Sequence, residues 1–292
     1  RSSDLAWMRF ESEELNALLH EITTQEFVVG ANGYPIPPKC LEDRTVTINK
    51  STYRLGIGGI HSSEETVCHL ADEEYVLSDH DVASYYPSII INCKLFPAHL
   101  TEAFLKIYSK IFRERITAKR NGQKTMADTF KIVLNGCFGK LGSPYSIFYS
   151  TDLLIQVTLT GQLALLMLIE RFENHGIPVV SANTDGIVVR THRNLLETRD
   201  ACIKWWEEQT GFETEETRYR ALYSRDINNY VALKEKGGTK GKGAFASVSI
   251  SKNPKNQICS DAVMAFLEHG TPIGQTIIGC RDIRKFLTVR TV

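Results

Sequence analysis

Asp81-Val82-Ala83-Ser84-Tyr85-Tyr86-Pro87-Ser88 decides how the chain is read, because it joins two kinds of secondary structure at a carboxylate. Upstream, Tyr75 to Val82 alternates and is rich enough in strand formers to predict a β-strand. Pro87 has no N–H for a ladder, and Ser88 to Cys93 starts a short helix beyond it. The strand therefore delivers Asp79 and Asp81 to its end. On its own, an acid before a Tyr-Pro turn is more often a solvated strand end, so its companions must decide.

Two companions stand downstream. Pro178 to Ala182 and Ile187 to Arg190 flank Asn183-Thr184-Asp185-Gly186, which predicts a β-hairpin with Asp185 at its tip. Asn, Asp and Gly are also the usual residues of a plain turn. Between the two acids, Lys131 to Gly139 is helical in pattern and places Lys131, Asn135 and Phe138 on one face. Taken alone it is an amphipathic surface helix.

The remaining pattern builds an α+β chain. Thr101 to Arg120 carries Phe104, Ile107, Tyr108, Ile111, Phe112 and Ile116 on one stripe, breaks at Asn121-Gly122 and resumes from Met126 to Phe138. This predicts a helical hairpin, and Thr101 to Lys140 holds nine bases against three acids. Arg115 and Lys119 lie four apart, where like charges repel unless a polyanion lies beside them. Glu11 to Thr24 and Asn194 to Thr210 read as helices, Gly30 to Pro38 as turn or loop, and Thr151 to Asn174 as a long core helix. Trp205-Trp206 with Glu207, Glu208, Glu213, Glu215 and Glu216 is expected to form one packed helix with a solvated acidic face. Tyr230 to Leu233 and Gly243 to Val248 are expected strands, and Asp79 an accessory acid.

Composition narrows the class without choosing a function. Lysine plus arginine equals aspartate plus glutamate at 34 each in 292 residues, so any phosphate-binding face is local. Seven scattered cysteines form no Cys-x-x-Cys pair, which speaks against a zinc ribbon or a redox couple and fits a reducing interior. The longest purely apolar run, Leu163 to Ile169, is far shorter than the roughly 20 residues of a membrane span, so no membrane is expected. The chain opens on Arg1 and stops at Val292 after a strand-like run, and is expected to be a fragment.

The order of the three elements carries more than any one of them. Asp81 to Ser88 resembles the first motif of family B DNA polymerases, an Asp followed by Ser-Leu-Tyr-Pro-Ser. Lys131 to Gly139 resembles the second, Lys-x-x-x-Asn-Ser-x-Tyr-Gly, and Asn183 to Gly186 the third, Asp-Thr-Asp-Ser. The likeness runs from about Gly56 onward. Gly56-Ile57-Gly58-Gly59-Ile60-His61-Ser62 and Ser181 to Gly186 give it a bacteriophage or prophage character. It implies a polymerase palm, an antiparallel sheet packed on helices, with a short two-helix fingers hairpin and an incomplete thumb. The divisions are a lead-in at 1–60, palm at 61–97, fingers at 98–140, palm again at 141–235 and a truncated palm-to-thumb region at 236–292. Fifty positions between Asp81 and Lys131 leave room for a two-helix fingers and no large insertion.

The resemblance further implies template-directed extension of a primer 3′-hydroxyl from dNTPs. Asp81 and Asp185, with the carbonyl of Val82, would hold two Mg2+ ions, for which Mn2+ can substitute. Ser84, Tyr85 and Tyr86 would meet the nucleotide, Tyr86 lying under the sugar and excluding a 2′-hydroxyl. Arg115, Lys119, Lys131 and Asn135 would face the triphosphate and nascent pair; Gly139, Thr184, Tyr230 and Lys242 would contact DNA. The expected partner is primer-template DNA, the expected setting a monomer in the bacterial host cytoplasm. Three positions depart from the pattern: Asn183 replaces the first Asp of the third motif, Gly136 and Phe138 replace Ser and Tyr of the second, and Asn228-Asn229-Tyr230 stands for Lys-x-Tyr, leaving Lys242 to supply charge. The alternative is a catalytically impaired nucleic-acid-binding polymerase fragment. A metal-dependent nuclease also needs paired acids, but leaves Tyr86 and the basic hairpin unexplained.

Overall fold

In a computed structural model of the chain, residues 5–246, 253 and 255–290 are described. Ser12 caps the first helix, α1 (Glu13–Thr24), by accepting from the Leu15 N–H. The buried Glu170 carboxylate accepts the N–H groups of Glu11 and Ser12 at 2.7 and 2.8 Å, tying this entry to the core. The expected loop at Gly30 to Pro38 holds only in part: it contains the short strand β2 (Pro35–Ile36), which pairs with β1 (Val28–Val29) in a small hairpin.

Short strands then enter the main sheet: β3 (Thr45–Ile48), β4 (Ser51–Arg54), β5 (His61–Ser62) and β6 (Val67–Leu70). The strand β7 (Tyr75–Val82) follows, then α2 (Tyr85–Asn92), the hairpin α3 (Thr101–Arg120) and α4 (Lys124–Lys140), and α5 (Thr151–Asn174). The next hairpin is β8 (Val179–Asn183) and β9 (Gly186–His192), followed by α6 (Leu196–Thr210), β10 (Thr214–Asp226), β11 (Asn229–Lys234), β12 (Thr239–Gly241), α7 (Gln257–His269) and α8 (Ile273–Gly279).

Among the described residues the large sheet has ten strands in the order β12-β11-β10-β7-β9-β8-β5-β4-β3, with β6 beside the far half of β10. Its pairings are antiparallel. The class is therefore α+β, as the pattern predicts. One sheet face is buried under α5 and α6 with Val82, Ile187, Val189, Phe172 and Trp206 in the main core. The other, more open face carries, among the described residues, a small cluster of Leu77, Val188, Tyr219, Leu222 and Ala232.

The central helix α5 is long and apolar enough to cross a membrane by length and composition, yet 83% of its apolar window is buried inside the protein. Trp206 on α6 is fully buried against it and donates its indole N–H to the Ala164 carbonyl at 2.7 Å. Trp206→Ala is expected to lower folding stability by about 3–5 kcal/mol, read by urea denaturation, because the variant leaves a cavity against α5 and loses the indole hydrogen bond.

Two expectations fail. Of the acids after Trp206, Glu207 and Glu208 share its helix as expected, but the rest do not: Gly211 adopts φ +69° and ends α6, and Glu215 and Glu216 belong to β10 with Glu213 just before it. Glycine tolerates the left-handed conformation that stops a helix, and alternation takes over beyond it. The expected strand at Gly243 to Val248 is a 3-10 turn over Gly243–Phe245. Gly243 has φ +62°, and a Cβ there would lie 2.2 Å from the Asn228 carbonyl oxygen. Ser247 and Val248 lie outside the described residues.

Candidate active site

The central strand sorts its side chains by alternation. Asp79 and Asp81 share the open face with Leu77, while Ser78 and His80 point into the layer beneath. There, burial and the Arg199 charge lower His80 to about 4, so it is neutral at pH 7. Arg199 is itself buried, donates to Ser78 and is paired with Asp200 and Glu216, binding α6 and β10 behind the strand.

Register brings the second carboxylate to the first. Asp81 pairs with Gly186, and the Val82 N–H donates to the Asp185 carbonyl at 2.7 Å, so the β8–β9 tip meets the end of β7. Gly186 suits this position because a Cβ would lie 2.4 Å from Asp81 Oδ1. Two non-glycine residues flank the acids in left-handed backbone, Ser84 at φ +51° and Thr184 at φ +59°. For the β-branched threonine this is costly, and its surroundings hold it there. The Thr184 N–H donates to the Ile60 carbonyl at 2.8 Å, and a Cβ on Gly59 would come within 2.6 Å of Thr184 Oγ1. Gln162 of α5 clamps the same loop, donating to the carbonyls of Gly56 and Gly58 and accepting the Gly56 N–H. Its neighbour Gly161 accepts the Tyr85 hydroxyl at 2.6 Å. One turn of α5 thus steadies both acid-bearing segments.

The acids open on a cleft of about 830 Å³ between the sheet and the helical hairpin. Its wall includes Asp81, Val82, Ser84, Tyr85, Tyr86 and Asp185 from one side and Arg115, Lys119, Lys131 and Asn135 from the other, with Tyr230 and Lys242 at the far strands. Gly139 and Thr184 are not on that wall. Arg115 donates to Ser84 Oγ and Lys119 is paired with Glu215, so the hairpin is fastened across the cleft to the strands. Tyr86 stacks on Phe138, centroids 4.2 Å apart and planes 27° from parallel. Burial pushes the Tyr86 hydroxyl up to about 12, and it stays protonated at working pH.

Lys240 is the residue that sequence reading missed. Its ammonium lies 3.0 Å from Asp79 Oδ2 and 3.4 Å from Asp81 Oδ2, and the Tyr219 hydroxyl also donates to Asp79. Lys242, the expected source of charge, lines the same cleft with its ammonium 6.0 Å from the centroid of the Tyr230 ring. The alternation Lys240-Gly241-Lys242 was the available signal, because a strand there puts both lysines on one side. Asp79 is a buried member of the site. Burial and then the neighbouring Asp79 charge raise Asp81 to about 6, against the lowering effect of Lys240. Burial raises Asp185 too, opposed by Lys240 and Lys242. Asn183 supplies no charge; its amide donates to the Ile227 carbonyl at 2.9 Å.

Among the described residues no group of three or more His, Cys, Asp or Glu is arranged to hold a metal. Asp81 and Asp185 at adjoining backbone positions are nevertheless a donor set suited to a hard, oxygen-seeking ion that keeps its waters, and the Lys240 ammonium already lies 3.4 Å from Asp81 Oδ2.

No family model matches the chain. It is similar to DNA polymerase II of Escherichia coli (strain K12), at 28% identity over 228 residues that take in 67% of this chain and 29% of that protein. The chain spans less than a third of the length of this curated relative.

Proposed function

We propose that the chain carries the nucleotidyl-transfer core of a template-directed DNA polymerase of family B, of bacteriophage or prophage type. The carrying observation is the single cleft that gathers Asp81 and Asp185 from the sheet and Arg115, Lys119 and Lys131 from the hairpin. The distant likeness to a DNA polymerase points the same way. In this reading the sheet is the palm, α3 and α4 the fingers, and residues 236–292 a palm-to-thumb region that begins with the last strand of the sheet. The partners are primer-template DNA and dNTPs, and the protein acts as a monomer in the cytoplasm of the host bacterium.

The roles follow from charge and shape. The reaction is attack of a primer 3′-hydroxyl on the α-phosphate of a dNTP with loss of pyrophosphate, so the site must hold a polyanion beside two carboxylates. Arg115, Lys119 and Lys131 offset triphosphate charge from the hairpin side. Tyr86, braced by Phe138, gives a flat wall for a deoxyribose. Asn135 faces the nascent pair, while Gly139, Thr184, Tyr230 and Lys242 contact DNA around the cleft. Asp81, Asp185 and the Val82 carbonyl would hold two Mg2+ ions, with Mn2+ as a substitute, which when bound supply charge neutralisation for the attacking and leaving oxygens.

A primer-extension assay across a magnesium titration tests the reading. Turnover should require the divalent ion, while binding of primer-template DNA should fall with salt and need no metal. The missing acid at Asn183 and the Lys240 pairing favour one rival, a DNA-binding fragment without chemistry. DNA affinity with no extension at any magnesium concentration would establish that rival.

The Asp81 shift adds a pH dependence with a definite sign. A carboxyl raised to about 6 binds its proton more tightly in the folded state, so the metal-free fold gains stability as pH falls through that value. Metal affinity moves the other way, because the ligand must be ionised. Mn2+ binding followed by paramagnetic resonance should be flat above the Asp81 pKa of about 6 and weaken by up to about tenfold per pH unit below it.

A further inference from the structure

Lys240 meets its two carboxylates unequally. Asp79 is buried, with a side chain 6% exposed, and receives both the ammonium at 3.0 Å and the Tyr219 hydroxyl. Asp81 is 45% exposed at its side chain and meets the ammonium at 3.4 Å. Asp79 is therefore the fixed partner, and Asp81 the one that can be released. The lysine is carried by β12, which pairs with β11 and holds it beside Tyr219 and Tyr230. An ammonium seated between two carboxylates is an internal cation of the site.

A divalent ion approaching Asp81 meets this positive charge a few ångströms away. Two cations so close repel strongly in a partly buried cleft. The amide at Asn183 leaves the cluster with fewer negative charges to absorb that repulsion, so the lysine weighs more heavily here. We propose that Lys240 is a displaceable internal cation: it holds Asp81 while no divalent ion is bound, withdraws onto Asp79 when one arrives, and so sets the divalent-ion affinity of the site. This rests on the reading of Asp81 and Asp185 as metal ligands. Its distinct content is a tuning residue outside the ligand set.

The test is Mn2+ binding by paramagnetic resonance, with neither DNA nor nucleotide present, to wild type, Lys240→Gln, Lys240→Arg, Lys242→Gln and Asp81→Asn. Glutamine removes the charge but can still donate to Asp79, which limits damage to the fold. Lys240→Gln should bind Mn2+ about tenfold more tightly than wild type, Lys240→Arg about as wild type, and Lys242→Gln should show a clearly smaller gain than Lys240→Gln. Unchanged or weaker binding by Lys240→Gln overturns the proposal, as does an equal gain in Lys242→Gln, which would mark a diffuse field effect. Asp81→Asn separates the two levels: loss of binding leaves the metal-site reading intact whatever Lys240 does, and unchanged binding removes that reading and the tuning role with it. Should Lys240→Gln fail to fold, the wild type still answers. After reductive 13C-methylation, with the Lys240 signal identified by its absence from the spectrum of Lys240→Arg, Mg2+ should shift that signal in wild type and not in Asp81→Asn; no shift in wild type overturns the proposal.

Discussion

Asp81→Asn lowers the single-turnover rate of primer extension by at least about a thousandfold and leaves primer-template affinity within a few-fold of wild type. Asparagine keeps the volume of the side chain and its place on β7, so the fold and cleft wall survive. What is lost is the charge at the strand end that register brings to the β8–β9 tip. Asp185→Asn should cost as much, and the double variant little more than either single one, because the two acids act as a unit. Asp79→Asn should cost less, since that carboxylate is already committed to Tyr219 and Lys240. Losses below tenfold in both Asp81→Asn and Asp185→Asn would remove these acids from the chemistry.

Tyr86→Ala should reduce discrimination between dNTPs and rNTPs by about a hundredfold, measured as the ratio of kcat/KM values for matched nucleotides. The ring lies on the cleft wall, stacked on Phe138, and its bulk would meet a 2′-hydroxyl. Tyr86→Phe keeps that bulk and should retain most of the discrimination. Phe138→Ala should lose a smaller part, because the ring would remain but its backing would not. Unaltered selectivity in Tyr86→Ala would place the sugar elsewhere in the cleft.

Much of this architecture was legible because it obeys local rules. The limits Tyr75–Val82 and Thr151–Asn174 agree with alternation and a sustained apolar pattern, and the breaker Asn121-Gly122 marks the turn between α3 and α4. The strands from Thr45 to Leu70 were not anticipated, since they are two to four residues long and gain their stability from neighbours remote in sequence. Glu213, Glu215 and Glu216 misled because charge alone does not tell a helix face from a strand edge, and Gly211 was the overlooked stop.

The candidate site was legible for a different reason. The order of Asp81, Lys131 and Asp185 carries information that no single stretch holds, and these residues line one cleft. For Lys240 the local alternation signals only a strand, because its importance comes from the pairing of β12 with β11 and from the proximity of Asp79, both long-range facts. The supporting clamp from Gln162 to the Gly56–Gly58 loop is likewise a contact across 104 to 106 positions that no pattern announces.

The most direct test of the central claim is pyrophosphate release in a single turnover, with a defined primer-template, one dNTP and Mg2+. The account predicts one pyrophosphate per primer extended, only with the complementary nucleotide and a primer 3′-hydroxyl, and none with a 3′-deoxy primer or in the presence of chelator. Release without regard to template or primer hydroxyl, or none from a complex that holds both DNA and dNTP, would contradict it.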